Sequence, residues 1–316
     1  MRKITAFILV LVIVLGLAGC SIGGLKEKII KVGIAAPDVT TGWVAGVGYY
    51  AEKYCKTNNL DYLITVSADV SEMTANLEKL IDEGCTVIVS WRHWTGMEKA
   101  LQKVIDQGIP VVNFDIDVDC EGIYKVTGDN YDMGYRCAEH ITGIVGDGAT
   151  IAVMDLPSSG SICELRKAGF YGFLEEKGYD TSNIFEVPLE AFTRENGQAV
   201  MAEVLQQYPQ IDAVFSMDDE AAIGCVAAVR EAHRTDIKAI TGGGGCQEFF
   251  RMIADEAYAP LGLATAVYSP AMVVEAIKTA VTLLEGGEAE PVVVLPTALV
   301  NSGNVAGYLD ENNTVY

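Results

Sequence analysis

The sequence is poor in positive charge, in histidine and in the patterns that mark catalytic chains. Lys and Arg number 22 against 43 Asp and Glu, for a formal charge of -21. Such a surface repels nucleic acid and anionic lipid, which argues against a general DNA-binding role. The three histidines, His93, His140 and His233, are scattered, so no zinc spacing arises and no metal ligands are assigned. No Gly-x-Ser-x-Gly elbow or paired catalytic histidine occurs; no catalytic residue is assigned, no cofactor is called for, and an enzyme is not expected. The glycine run 242–245 has no Lys-Ser/Thr after it and is not a phosphate loop. It reads as a tight strand-to-helix turn that leaves space. Asp115, Asp117 and Asp119 alternate as in a calcium loop, but Cys120 and Val126 stand where its glycine and terminal glutamate belong. A solvated rim is the expectation there. No CxxC pair occurs among Cys55, Cys85, Cys120, Cys137, Cys163, Cys225 and Cys246. Their apolar contexts predict mostly buried free thiols, with one or two disulfides left open.

Long hydrophobic runs are nearly absent too. One stands at the start: Arg2 and Lys3, then residues 4–19, apolar throughout, then Cys20. It is shorter than the ~20 residues of a membrane span and has the form of a secretory signal. The ending Leu17-Ala18-Gly19-Cys20 resembles the lipobox of bacterial lipoproteins. That resemblance implies a signal peptide over 1–19, cleavage before Cys20 and diacylglycerol on its sulfur. Residues 20–28 then form a tether, and the rest is lipid-anchored at the outer face of the bacterial cytoplasmic membrane.

What is present is a long alternation of strand and helix. Half of the 316 residues are hydrophobic, enough for two domains with real cores. Residues 30–36 alternate β-branched and small residues, Pro37 ends them, and Trp43 begins a run of helix formers after a polar loop. That is the first half of a βαβ unit. Strands are expected at 61–67, 86–90, 109–114 and 122–127, with helices at 71–83 and from Thr95, which a capping box to Glu98 would start. A second series follows from Tyr131: helices at 131–145, 161–177, 193–208, 219–233 and 269–285, and strands at 150–155, 184–188, 213–216, 238–241, 261–267 and 292–300. The fold class is α/β, with parallel sheets covered by helices on both faces, in two similar lobes. Ligands of such sheets sit beyond the carboxyl ends of the strands, where Trp43 lies.

Five landmarks occur in order along nearly the whole chain after residue 30. They are Gln107-Gly-Ile-Pro-Val-Val-Asn-Phe-Asp115, Val126-Thr-Gly-Asp-Asn130, Arg166-Lys-Ala-Gly-Phe170, Ile211-Asp-Ala-Val-Phe-Ser-Met-Asp-Asp-Glu220 and Ala264-Thr-Ala-Val-Tyr268. Together they resemble the ribose- and galactose-type sugar-binding proteins of bacterial ABC transporters, the type I periplasmic binding proteins. The resemblance implies two Rossmann-like lobes joined by a three-strand hinge, with crossovers near Gly128-Asp129, Tyr268-Ser269 and 297–300. One lobe would be 29–129 plus 269–297, the other 130–268 plus 298–316.

The resemblance also implies site residues. Trp43 would stack on a sugar, Asp115 grip hydroxyls and Arg166 fork onto sugar oxygens. Asp218 replaces the family's asparagine before Asp-Glu, and Tyr268 stands at its hinge-side glutamine. The aspartate usual after a Val-Gly-Phe run is missing, its strand continuing into the glycines. Trp91-Arg92-His93-Trp94 replaces a blander loop, making the expected pocket more aromatic than the ribose pattern. Trp91, Arg92 and Thr41 complete the candidates. These residue types suit a polyhydroxylated guest, since an indole covers C–H faces while carboxylates and a guanidinium make charge-assisted bonds to hydroxyls. Each has a plainer reading: Trp43 as core, Asp115 or Asp218 as a helix cap, Arg166 in a surface pair with Glu164 or Glu175, Tyr268 as packing. The expected function is capture of a monosaccharide or polyol by a monomer that delivers it to an ABC permease. A nucleoside or furanosyl signal as ligand, and a receptor serving a membrane sensor, remain open.

Overall fold

The computed structural model describes residues 29–38, 42–91, 95–313 and 316. Cys20, Thr41 and Arg92, expected for lipidation and ligand binding, lie outside the described residues. The first series is β1 (Lys31–Pro37), α1 (Gly42–Thr57), β2 (Asp61–Ser67), α2 (Val70–Asp82), β3 (Val87–Trp91), α3 (Glu98–Ile105), β4 (Val111–Phe114) and β5 (Tyr124–Gly128). The second is α4 (Asn130–Val145), β6 (Ile151–Asp155), α5 (Ser161–Lys177), β7 (Ile184–Pro188), α6 (Arg194–Gln207), β8 (Ala213–Ser216), α7 (Asp219–Glu231), β9 (Ala239–Gly244), α8 (Gln247–Ala254) and β10 (Ala264–Val267). Then come α9 (Met272–Glu285), β11 (Val292–Leu295) and β12 (Leu299–Asn301).

The strands form two six-stranded sheets, ordered β11-β5-β4-β3-β1-β2 and β12-β10-β9-β8-β6-β7. All pairs are parallel except β10 with β12. Central strands such as β3 and β6 are buried along their whole length, as parallel strands covered on both faces must be. In each sheet the chain runs to one edge and then reverses, with the switch beside β1 and β6. Loops diverge there and leave a crevice at the strand ends. Residues expected as one strand, 292–300, are two: β11 pairs with β5 in the first sheet, β12 with β10 in the second. Helix α9 packs on α1, β3, β4 and β5, so it completes the first sheet from the far end of the chain.

Local chemistry starts four of the α-helices. Asp69, Asp129, Thr193 and Asp218 each accept main-chain N–H bonds as N-caps. Thr95 does not. Helix α3 begins at Glu98 behind Met97 without a side-chain cap, and the Glu98 carboxylate takes the N–H of Gly96. The glycine run is also corrected: residues 242–244 belong to β9, and only Gly245 lies beyond it. The strand extends because neighbouring groups press on it. A side chain at Gly242 would overlap the Asp219 carboxylate, and one at Gly243 would meet the Met217 carbonyl.

Candidate ligand site between the two sheets

Three residues meet at the carboxyl end of the first sheet. Trp43 lies in the first turn of α1, Trp91 ends β3, and Asp115 follows β4. Asp115 has a left-handed backbone, φ 68°, a conformation that an aspartate tolerates better than most residues. It is not a helix cap. Its Oδ2 accepts from Trp91 Nε1 at 2.9 Å and its Oδ1 from the Tyr268 hydroxyl at 2.6 Å. The Thr127 hydroxyl donates to the Asp115 carbonyl at 3.2 Å. Trp43 meets Trp91 edge to face, ring centres 5.3 Å apart, and donates its indole N–H to the Tyr268 carbonyl at 2.6 Å. Asp117, two residues on, is exposed and pairs with Lys125 at 2.6 Å.

The second sheet supplies Arg166 and Asp218. Arg166 lies on α5 and is 5% exposed, so the surface pair with Glu164 or Glu175 does not form. Its Nε donates to Asn130 Oδ1 at 2.9 Å and its Nη1 to the Met217 carbonyl at 2.7 Å. The remaining N–H groups have no acceptor among the described residues. Helix α5 can hold it there because α4 and α5 approach through glycines: a side chain at Gly134 would overlap the Arg166 carbonyl, and one at Gly169 that of Tyr131.

Asp218 ends the β8 loop and caps α7, Oδ1 accepting from Glu220 N at 2.8 Å and Ala221 N at 3.1 Å. Its Oδ2 has no partner among the described residues. Burial, then the neighbouring Asp219 charge, pushes the Asp218 carboxyl up to about 8. Asp219 is fully buried and pushed up to about 6 by burial. It is tied to Gly245 N and Cys246 N, both at 2.7 Å, and to the Thr265 hydroxyl at 2.6 Å. It therefore fixes the end of β9 beside the site.

Tyr268 leaves β10 at the crossover and joins the two halves. Its ring carries the Arg166 guanidinium 4.8 Å above the centroid and lies 5.9 Å from the Trp43 ring, a cation–π contact worth roughly 0.5–2 kcal/mol. Burial, then the Asp115 charge, raises its pKa well above the ordinary tyrosine value. It is a hydrogen donor throughout the physiological range.

Trp43, Trp91, Asp115, Arg166 and Tyr268 thus form one connected cluster, with Asp218 on the loop next to Met217 that receives Arg166. Asn130, which orients Arg166, was not singled out by residue type, although it closes a landmark run. Asp219 likewise sits inside a landmark beside Asp218, and its buried bonds to β9 and β10 are visible only in three dimensions. Cys55, Cys85, Cys120, Cys137, Cys163, Cys225 and Cys246 are free thiols, with Cys120 partly exposed and the rest buried.

Comparison with known proteins agrees with this architecture. The chain is 25% identical over 210 residues to the ribose import binding protein RbsB of Bacillus subtilis, covering 66% of this chain and 68% of that one. It is 26% identical over 247 residues to the D-ribose/D-allose-binding protein of Pseudomonas aeruginosa, covering 74% and 75%. In three dimensions it is similar to an ABC transporter periplasmic solute binding protein from Actinobacillus succinogenes with bound D-allose. The TM-score is 0.80 at 20% identity, over 88% of this chain and 100% of that one; at that identity the likeness speaks for the fold. Residues 32–288 match the periplasmic binding protein domain, and the chain belongs to that family.

Proposed function

We propose that this protein captures a monosaccharide or related polyol between its two lobes outside the cytoplasm and hands it to an ABC permease, without catalysis. One observation carries the reading: the Arg166 guanidinium, with N–H groups to spare, lies over Tyr268 beside the Trp43 indole, where both sheets end. A sugar has apolar C–H faces and a belt of hydroxyls, and this arrangement offers a flat ring for the first and ionic partners for the second. The lobes are 29–129 plus 269–297 and 130–268 plus 298–316, and they move about the crossovers to enclose the guest. Thr41 and Arg92 belong to the same pocket. Cys20 carries the lipid that holds a monomer at the outer face of the membrane.

Thermal-shift titration with aldoses and polyols, set against nucleosides, tests the ligand class. Stabilisation by at least one sugar or polyol is expected. A clear shift with a nucleoside and none with any sugar or polyol would replace this reading by nucleoside binding, for which the three rings of Trp43, Trp91 and Tyr268 supply the stacking surface.

A further inference from the structure

Tyr316 is buried between the lobes although no strand or helix carries it. It is 4% exposed. Its ring rests on the last residue of β9, where a side chain on Gly244 would bring a Cβ within 2.8 Å of ring Cε1. Gly244 has φ 140°, a backbone that excludes most side chains. On the other side Tyr316 Cβ stands 3.7 Å from where a Cβ on Gly46 of α1 would lie. One glycine from each lobe therefore flanks the residue.

Residues 308–313 are fixed to the second lobe. Gln247 on α8 donates to the Tyr308 carbonyl at 3.0 Å and accepts from Asp310 N at 2.9 Å, and Arg251 donates to the Asn313 carbonyl at 3.2 Å. The first lobe meets it through Tyr50 of α1, whose hydroxyl donates to the Tyr316 carbonyl. Asn313 Nδ2 donates to the same carbonyl and to the Tyr50 hydroxyl.

All of this holds the main chain and the ring. The hydroxyl is left over: it is shut off from solvent and has no hydrogen-bond partner among the described residues. The Asp219 carboxylate stands close by, its Oδ2 within 3.4 Å of the same Gly244 Cβ position that the Tyr316 ring meets. A buried hydroxyl without a partner is destabilising, and native proteins keep few of them. Asp218, next to Asp219, has an Oδ2 with no partner among the described residues. A ligand hydroxyl both donates and accepts. Placed between the two, it would accept from Tyr316 and pair with Asp218 Oδ2, accepting from the carboxylic acid or donating to the carboxylate, which gives both a partner.

We propose that Tyr316 is a ligand-binding and specificity-determining residue, its hydroxyl reserved for a hydroxyl of the bound guest. The proposal rests on the sugar or polyol reading of the cleft. It makes the pocket a composite, in which a residue distant from the landmark runs closes the wall above β9.

The test compares the full chain with Tyr316→Phe, which keeps the ring on Gly244, by calorimetric titration with D-ribose, D-allose and allitol. Binding of whichever probe the unmodified chain takes should weaken at least tenfold in Tyr316→Phe, with no fall in the ligand-free melting temperature. Among monodeoxy analogues of that probe, one should bind both proteins with equal affinity, since it lacks the hydroxyl in question. Equal affinity of both proteins for the parent probe, or an equal further loss in Tyr316→Phe with every deoxy analogue, overturns the assignment and leaves the function standing. If none of the three binds, the probe is the sugar or polyol that gives the largest thermal shift, and no shift with any sugar or polyol overturns both.

Discussion

The Tyr268 hydroxyl donates to Asp115 Oδ1 at 2.6 Å across 153 positions of sequence. One residue leaves the second sheet at β10 and the other leaves the first at β4, so a single bond ties the crossover to the floor of the site. Tyr268→Phe deletes that donor and the hydroxyl's 3.5 Å contact with the Thr127 hydroxyl, and leaves the Trp43 indole on the main-chain carbonyl. A stability loss of about 1–2 kcal/mol is expected from a buried bond to an ionic acceptor, read as a lower midpoint in urea denaturation. An unchanged midpoint would show that Asp115 finds another donor at no cost.

Arg166 has a larger role, because it is buried and bonded on two sides. Arg166→Ala should weaken sugar or polyol binding by about 2–5 kcal/mol, as truncation of a buried charged partner does. Arg166→Lys should not restore it, since an ammonium cannot reach Asn130 and Met217 together with the guest as a planar fork does. Calorimetry decides; full affinity in Arg166→Ala would remove this residue from the site.

The pair Asp218 and Asp219 predicts a pH dependence of ligand-free stability. Both carboxyls hold their protons more tightly in the folded chain than the ordinary 3.8, up to about 8 and about 6. The folded state therefore binds more protons than the unfolded one, and stability falls as pH rises from near 4 towards 8. Arg166 opposes the shift at Asp218, while Glu220 reinforces it. Asp218→Asn keeps an oxygen for the cap but cannot titrate. Its melting temperature should vary less than that of the unmodified chain between pH 6 and 8. Parallel profiles would mean that Asp218 is ionised throughout that interval.

Gly169→Ala tests whether the helix pair positions the arginine. The new methyl would overlap the Tyr131 carbonyl, and forcing α5 away from α4 should cost about 3 kcal/mol. Arg166 lies one turn earlier on α5, so ligand affinity should fall along with the melting temperature. Loss of stability with affinity intact would separate the helix contact from the site.

Much of the fold is legible in the residues, because local rules and tertiary structure agree. Helix α5 runs over the span that its pattern predicts and stops at Gly178 in a left-handed turn. The buried strands β3 and β4 announce themselves as short apolar runs. Two of the misreadings share a cause, a neighbour distant in sequence. Residues 292–300 look like one strand, and only their partners in two sheets divide them. Glycines 242–244 look like a turn, yet Asp219, Met217 and Tyr316 press on them from other elements. The site follows the same division. Residue type and order single out Trp43, Asp115 and Arg166, but not that Asn130 orients the arginine or that Tyr268 binds the aspartate. Tyr316 carries no local signal, since its meaning lies in its contact with Tyr50, 266 positions away.

The division of the first sheet between the two ends of the chain sets an order of assembly. The five strands β6 to β10 are contiguous in sequence and can pair as soon as residue 267 leaves the ribosome, with only the edge strand β12 still to come. The sheet synthesised earliest must wait for α9 to cover it and for β11 to pair with β5. Until then it has a bare apolar face and an open edge, the surfaces on which strands of other chains aggregate. A nascent chain stalled before residue 272 thus has its second sheet short only of the edge strand β12 but its first sheet uncovered, and it is the species most in need of a chaperone.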